Sequence, residues 1–263
     1  MISVATWNVN SVKSRLPHLL EYLRANDAPD VLVLQETKTT DDAFPRVEAE
    51  DAGYNLAVYG QKSYNGVAIL SRFRLSEVKK ATFGGDADQA RYIEALVERP
   101  GKAPIRAASV YVPNGHAPDS PKFAYKMRFM EELGERMRQL WRDGTPTIVG
   151  GDFNAVFLPD RDVYDPVRSE GAICCHPAER RRMRAYEATG WRDLYRAGNP
   201  FAKNFTWWDY RAGARQKNMG LRIDFLLASP EIADASRRCD IDDYMRDKDS
   251  PSDHAPVRAQ LSI

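Results

Sequence analysis

Apolar runs of strand length recur along the chain: ISVATW, DVLVLQE, GVAILS, YIEALVE, IRAASVYV, PTIVGGD, RIDFLLAS and the closing PVRAQLSI. Continuous apolar runs of this length suit strands covered on both faces. Elsewhere the pattern shifts to a helical period. Leu16, Leu19, Leu20 and Leu23 form one apolar face, with Ser11 or Ser14 placed to cap it. Phe123, Met127, Met130, Leu133, Met137 and Leu140 form a second, and residues 178–188 a third, whose outer face is rich in arginine. YNLAVYG leads into GVAILSR across QKSYN, a hairpin-type link. Strand–helix–strand units mixed with hairpins predict an α/β protein with mixed sheets. No Pro/Gly/Ser-rich linker divides the 263 residues, so one domain over 1–263 is expected. Residues 157–176 carry no period and are expected to form a long surface loop, of a length uncommon without a task.

The polar residues fall where the runs stop. SVATWN ends in Asn8, DVLVLQE in Glu36, SVYVPN in Tyr111 and Asn114, and TIVGGDFN in Asp152 and Asn154. Asp224 lies inside the apolar RIDFLL, and Asp253 and His254 precede the last run. Any one of these taken alone is more simply a turn former or a helix cap. Together they suit one ligand site, because open α/β sheets bind ligands where strands end. Glu36, Asp253 and the amide oxygen of Asn8 are hard oxygen ligands, a set open to water that suits Mg²⁺ or Mn²⁺ better than zinc. A buried Asp224 is costly unless paired, and His254 is the candidate partner, since an aspartate fixes the imidazole tautomer and favours its cation. Asp152 and Asn154, alternate residues of an extended segment, face one way. GxSxG, P-loop and GxGxxG motifs are absent, so an activated water is the natural attacker.

Composition narrows this only slightly. With 38 basic and 37 acidic residues the net charge is +1, which neither announces nor excludes a polyanionic partner. Three cysteines without CxxC spacing argue against a disulfide scaffold and fit a reducing compartment, and the opening MISVATWNVNS has no signal-peptide pattern, so a cytoplasmic location is expected. Cys174, Cys175 and His176 suggest a metal, but adjacent cysteines chelate one ion poorly. No apolar run spans a membrane, so no membrane partner is expected.

The motifs TWNVNS, LQETK, YNGVAILSR, YVPNG, GGDFNAV, NMGLRIDFLLAS and SDHAPV, in this order, resemble the exonuclease III family of apurinic/apyrimidinic endonucleases, within the endonuclease/exonuclease/phosphatase fold. The likeness runs from Ile2 to Val257. It implies a four-layer α/β sandwich, two mixed sheets face to face with helices outside. It implies a metal-dependent hydrolase of double-stranded DNA: 5′ incision at abasic sites, trimming of blocked 3′ ends, and 3′→5′ exonuclease activity. Carried over, Glu36 is the principal ligand of Mg²⁺ or Mn²⁺, with Asn8 and Asp253 nearby. Asp152 activates or positions water and Asn154 steadies it, while His254, backed by Asp224, contacts the scissile phosphate with Tyr111 and Asn114. Asp152 is preferred as general base, with His254 stabilising developing charge; a second metal near Asp152, Asn154 and His254 is the competing picture. Human-type members carry aspartate where this chain has Asn10, which weakens any direct metal role for that residue. Trp207, Leu221 and Ile223 match a small apolar pocket that accepts a flipped sugar without its base. Lys62, Arg91, Arg128 and the arginines of 180–184 are candidate phosphate contacts, and a monomer is expected. The rival readings are a phosphoesterase of the same fold with a non-DNA substrate and a catalytically silent DNA-binding module.

Overall fold

The structure, a computed structural model, describes residues 1–85 and 89–263. Its strands are β1 (Ile2–Asn8), β2 (Val31–Gln35), β3 (Asn55–Tyr59), β4 (Val67–Ser71), β5 (Arg74–Ala81), β6 (Tyr92–Glu98) and β7 (Ile105–Tyr111). There follow β8 (Thr147–Asp152), β9 (Arg192–Asp193), β10 (Trp207–Trp208), β11 (Gly220–Leu221), β12 (Asp224–Ala228), β13 (Ser236–Ile241) and β14 (Val257–Leu261). The helices are α1 (Leu16–Arg24), α2 (Arg46–Asp51), α3 (Pro121–Asp143), α4 (Pro159–Asp162), α5 (Pro166–Ser169), α6 (Pro177–Ala188), α7 (Leu194–Gly198) and α8 (Pro230–Asp234).

Two six-stranded mixed sheets form, in the orders β13-β14-β1-β2-β4-β3 and β5-β6-β7-β8-β12-β9. Each holds one parallel pair, β1–β2 and β7–β8, joined through α1 and α3 because parallel strands need a long crossover. Alternate residues divide between two faces. Val4, Val33, Ile69, Ile93, Ala107, Ile148 and Leu226 meet between the sheets. Trp7, Leu32, Leu34 and Leu70 pack outward with Leu19 and Leu23 of α1. On the far side Val110, Val149, Phe225 and Leu227 pack with Phe129, Leu133 and Met137 of α3 and Met183 of α6. The layers are therefore helix, sheet, sheet, helix, the expected four-layer sandwich. Coverage on both faces is why these strands read as unbroken apolar runs.

Some expectations change. Neither Ser11 nor Ser14 caps α1; their hydroxyls bond each other at 3.0 Å and Arg15 occupies the cap position. The 157–176 segment is not structureless, since α4 and α5 lie within it and Val163 bridges to Leu221. Asp162 organises it, its buried carboxylate accepting the Leu158 amide at 2.8 Å and Arg222 at 2.8 Å. β5 carried no apolar run because it is a sheet edge, largely open to water.

Gly150 lies on β8 with no room beside it for a side chain. A Cβ there would lie 2.8 Å from Val33 Cγ2 and 3.0 Å from Leu226 Cδ2. Gly150→Val should therefore cost about 1–3 kcal/mol by overpacking and lower Tm by several degrees in a thermal melt. An unchanged Tm would show that the sheets part freely beside Asp152.

Candidate active site

Because β1 packs against β8 and β2 against β7, the C-terminal ends of both parallel pairs come to one end of the sandwich. The Asn8 side chain, closing β1, donates to Asp152 Oδ2, closing β8, at 3.0 Å. Glu36 follows β2 directly and holds φ of 50°, and Asn154 holds 46°. Left-handed backbone costs a non-glycine residue roughly 1–2 kcal/mol, and here it marks sharp turns at two site residues. The SDH segment is fastened on both sides. Ser252 Oγ donates to Asn8 O at 2.6 Å, Trp7 Nε1 donates to His254 O at 3.2 Å, and the Trp208 amide donates to Asp253 O at 3.1 Å.

The result is a cavity of about 270 Å³ lined by Glu36, Tyr111, Asn114, Asp152, Asn154, Asp253 and His254 on its polar side. Trp207, Leu221 and Ile223, with Ile173 and Cys174, make its apolar side. Trp207 and Leu221 are cross-strand partners of β10 and β11, which explains how residues distant in sequence form one wall. Ile173 and Cys174 were missed; nothing in an irregular segment marks which residues turn inward.

The electrostatics centre on His254. Its Nδ1 lies 2.9 Å from Asp224 Oδ2 and its Nε2 3.8 Å from Asp152 Oδ2, all deeply buried. Burial would lower the imidazole pKa, but Asp224 and then Asp152 outweigh it and push it up to about 10. Asp152 is raised to about 7, first by burial, opposed by His254, with Asp224 and Glu36 adding to the rise. The cation between two carboxylates is the stable arrangement. Burial, then the Glu36 and Asp152 charges, keeps the Tyr111 phenol protonated. Asp152 Oδ1 accepts the Asn154 amide at 2.9 Å and Oδ2 accepts Asn154 Nδ2 at 3.2 Å. Asn114 Nδ2 donates to Asn154 Oδ1 at 3.1 Å.

Asn8 takes a different part from the expected one. Its Oδ1 accepts the Asn10 amide at 3.0 Å, so its Nδ2 faces the carboxylates of Glu36 and Asp152. The backbone donor fixes this orientation, and Asn8 enters as a hydrogen-bond donor, not as an oxygen ligand. Asp253 lines the cavity, with one oxygen taken by Asn10 Nδ2 at 2.9 Å and the other by Trp207 Nε1 at 3.0 Å. Asn10 also accepts from Lys38, which pairs with Glu36 at 2.9 Å. Lys38 was missed because its approach to Glu36 depends on left-handed backbone at both residues, which no local pattern announces.

Among the described residues, Glu36, Asp152 and His254 form the group able to hold a metal ion, their ligand atoms all within 4.8 Å of one another. Two carboxylates and one imidazole fit a hard divalent cation. His254 would ligate only after losing its proton, so Glu36 and Asp152 are the better pair.

Arg91 stacks over the Tyr111 ring at 4.6 Å and lines a neighbouring trough of about 520 Å³ with Lys122 and His116. Lys62 and Arg128 are exposed. In the 180–184 cluster, Arg180 pairs with Glu170 at 2.8 Å and Arg182 with Glu131 at 3.0 Å, so these two serve surface pairs. His176 caps α6, accepting the Ala178 amide at 3.2 Å. Cys174 and Cys175 are buried free thiols, both raised by burial.

Residues 5–254 match the model of the endonuclease/exonuclease/phosphatase family. The chain is 32% identical to exodeoxyribonuclease III of Haemophilus influenzae, covering 97% of this chain and 98% of that protein. It belongs to the exonuclease III branch of that family. A 3′ phosphatase from Neisseria, solved with a product DNA hairpin, superposes with a TM-score of 0.94 at 38% identity, with 100% of both chains covered. An AP endonuclease from Archaeoglobus fulgidus gives 0.93 at 32%, again with 100% of both covered.

Asp224→Asn tests the charge arrangement in metal-free protein. The His254 ring should titrate below about 8 by NMR, against about 10 in the parent. Since the folded pKa is raised, the stability it lends is complete below the unfolded value near 6.5 and is lost as pH rises through about 10. The gap between parent and variant should be widest at acid pH and close toward alkaline pH. Titration still near the parental value would assign the shift to Asp152.

Proposed function

We propose that this protein is a divalent-metal-dependent phosphodiester hydrolase of double-stranded DNA, cutting 5′ to abasic sites, trimming blocked 3′ ends and removing 3′ nucleotides. One observation carries the reading: Glu36, Asp152 and His254 meet within 4.8 Å beside an apolar wall of Trp207, Leu221 and Ile223. The full-length likeness to exodeoxyribonuclease III and to an AP endonuclease supports it. The free, buried cysteines suit work in the cytoplasm.

The substrate phosphate would sit between Tyr111, Asn114 and His254. Asp152 takes the proton of the attacking water. The water oxygen bonds to phosphorus as the bond to the leaving oxygen breaks, and that oxygen departs as an alkoxide that takes a proton from solvent. His254, held cationic by Asp224, stabilises the charge that develops on the phosphate oxygens. Asn154 and Asn8 fix the Asp152 carboxylate by donating to it. Mg²⁺ or Mn²⁺, held by Glu36, would supply fixed positive charge against the phosphate when bound. Trp207, Leu221 and Ile223 favour a sugar without its base. The trough of Arg91, Lys122 and His116 suits flanking phosphates.

A duplex with one abasic site should be cut with Mg²⁺ and left intact with EDTA, and Glu36→Ala should need far more Mg²⁺ for half-maximal rate. Binding without cutting would favour a silent DNA-binding module, and no action on DNA the other phosphoesterases. Asp152→Asn should lower kcat about 10²–10⁴-fold, the range of a general base, with DNA affinity nearly unchanged in a binding assay. An active Asn variant would remove Asp152 as base.

A further inference from the structure

We infer that Lys126 and Glu179 are positioning residues for this centre: one buried ion pair sets the loops that carry Asn114, Asn154 and Cys174. The inference rests on the proposed hydrolysis and goes beyond it, since neither residue lines the cavity or reaches the reacting atoms.

Lys126 lies in the second turn of α3 and is fully buried. An ammonium has three hydrogens to donate and no acceptor. Here all three are used: on Asn114 O at 3.1 Å, on Asn154 O at 2.6 Å and on Glu179 Oε1. Glu179, equally buried, occupies the third position of α6. Its Oε1 also accepts the Cys174 amide at 3.3 Å, and its Oε2 the His176 amide at 2.9 Å. One pair thus joins three loops: that after β7, that after β8, and that entering α6. Each supplies a cavity residue. The Asn114 and Asn154 carbonyls it holds belong to the residues whose amides meet at 3.1 Å, and Asn154 in turn donates to Asp152. Gly115 leaves the room required, since a Cβ there would lie 2.9 Å from Lys126 Cδ.

Energy alone does not account for the pair. Taking two charges out of water costs several kcal/mol each, and apolar pairs of similar volume often serve stability as well or better. What an apolar pair cannot do is donate to two carbonyls at once. Those loops have left-handed backbone at Asn154 and Cys174, so without the donors each carbonyl would seek water and the loop would shift. A misplacement of about 1 Å remote from the chemistry can cost around 100-fold in rate.

The experiment uses the full chain and the variants Lys126→Met, Lys126→Met with Glu179→Met, and Lys126→Arg, on an abasic duplex with Mg²⁺. Lys126→Met alone leaves a buried carboxylate unpaired and should lose both Tm and rate. The double variant leaves no charge buried alone and should recover part of the Tm that Lys126→Met loses, yet keep a kcat loss of about 10–100-fold, with KM changed less than about threefold. Lys126→Arg should retain Tm and still lose kcat, because a planar fork cannot set one nitrogen on three acceptors; it decides the matter if the methionine variants do not fold. In parallel, the side-chain amide signals of Asn154, which is buried and donates to Val112 O and Asp152 in the parent, should move to solvent-exposed positions and exchange faster in the double variant. Parental kcat and unmoved amide signals in a stable double variant, or parental values for both in Lys126→Arg, would overturn the inference. An inert parent would overturn the proposed function instead, while the amide signals would still decide the positioning.

Discussion

Two carboxylates stand opposite each other in neighbouring strands: Asp152 closes β8 and Asp224 opens β12, paired in antiparallel register. Like charges directly opposite are destabilising, and these are buried. The arrangement persists because His254 places a cation against both. That need explains the fastening of the SDH turn, since an imidazole able to swing away would leave two charges uncompensated in the interior. It also explains the split in protonation behaviour, Asp152 raised toward neutrality and His254 well above it. Acid–base assignments arise from such divergence.

Around this core lies a shell of amides. Asn8, Asn10, Asn114 and Asn154 each donate to another site side chain. Neutral donors orient carboxylates without neutralising them, so the negative charge stays available to a cation. Lys38 on Glu36 and the pair of Lys126 with Glu179 lie further out. The first places positive charge at the edge of the cavity, the second none in net. Rigid support of this kind is what holds reacting groups to working geometry.

The elements were largely legible in the residues. Strands covered on both faces wrote themselves as apolar runs, and α3 as a helical stripe. The edge strand β5 was not legible because solvent, not packing, faces most of its side chains. The short pair β10–β11 escaped notice because two-residue strands carry no period. The order within 157–176 was hidden because a buried Asp162 held by Arg222 and Arg196 sustains it, and those partners lie elsewhere in the chain. Polar side chains at strand ends announced a site at Glu36, Tyr111, Asn114, Asp152, Asn154 and His254, and the structure brings all of them to one cavity.

The residues alone determined which groups were available: an acid after one strand, an acid and an amide after another, an acid inside a strand that demanded a partner, and a histidine to meet it. Chemical need is local, so sequence can state it. Direction is not local. That Asn8 turns its nitrogen to the carboxylates, because the Asn10 amide claims its oxygen, was decided only when the chain folded. So was the division of Asp253 between Asn10 and Trp207, and the gathering of three loops on one lysine. Each depends on which of two nearly equal atoms finds a partner brought from a distant segment, and only the packed sandwich fixes that choice.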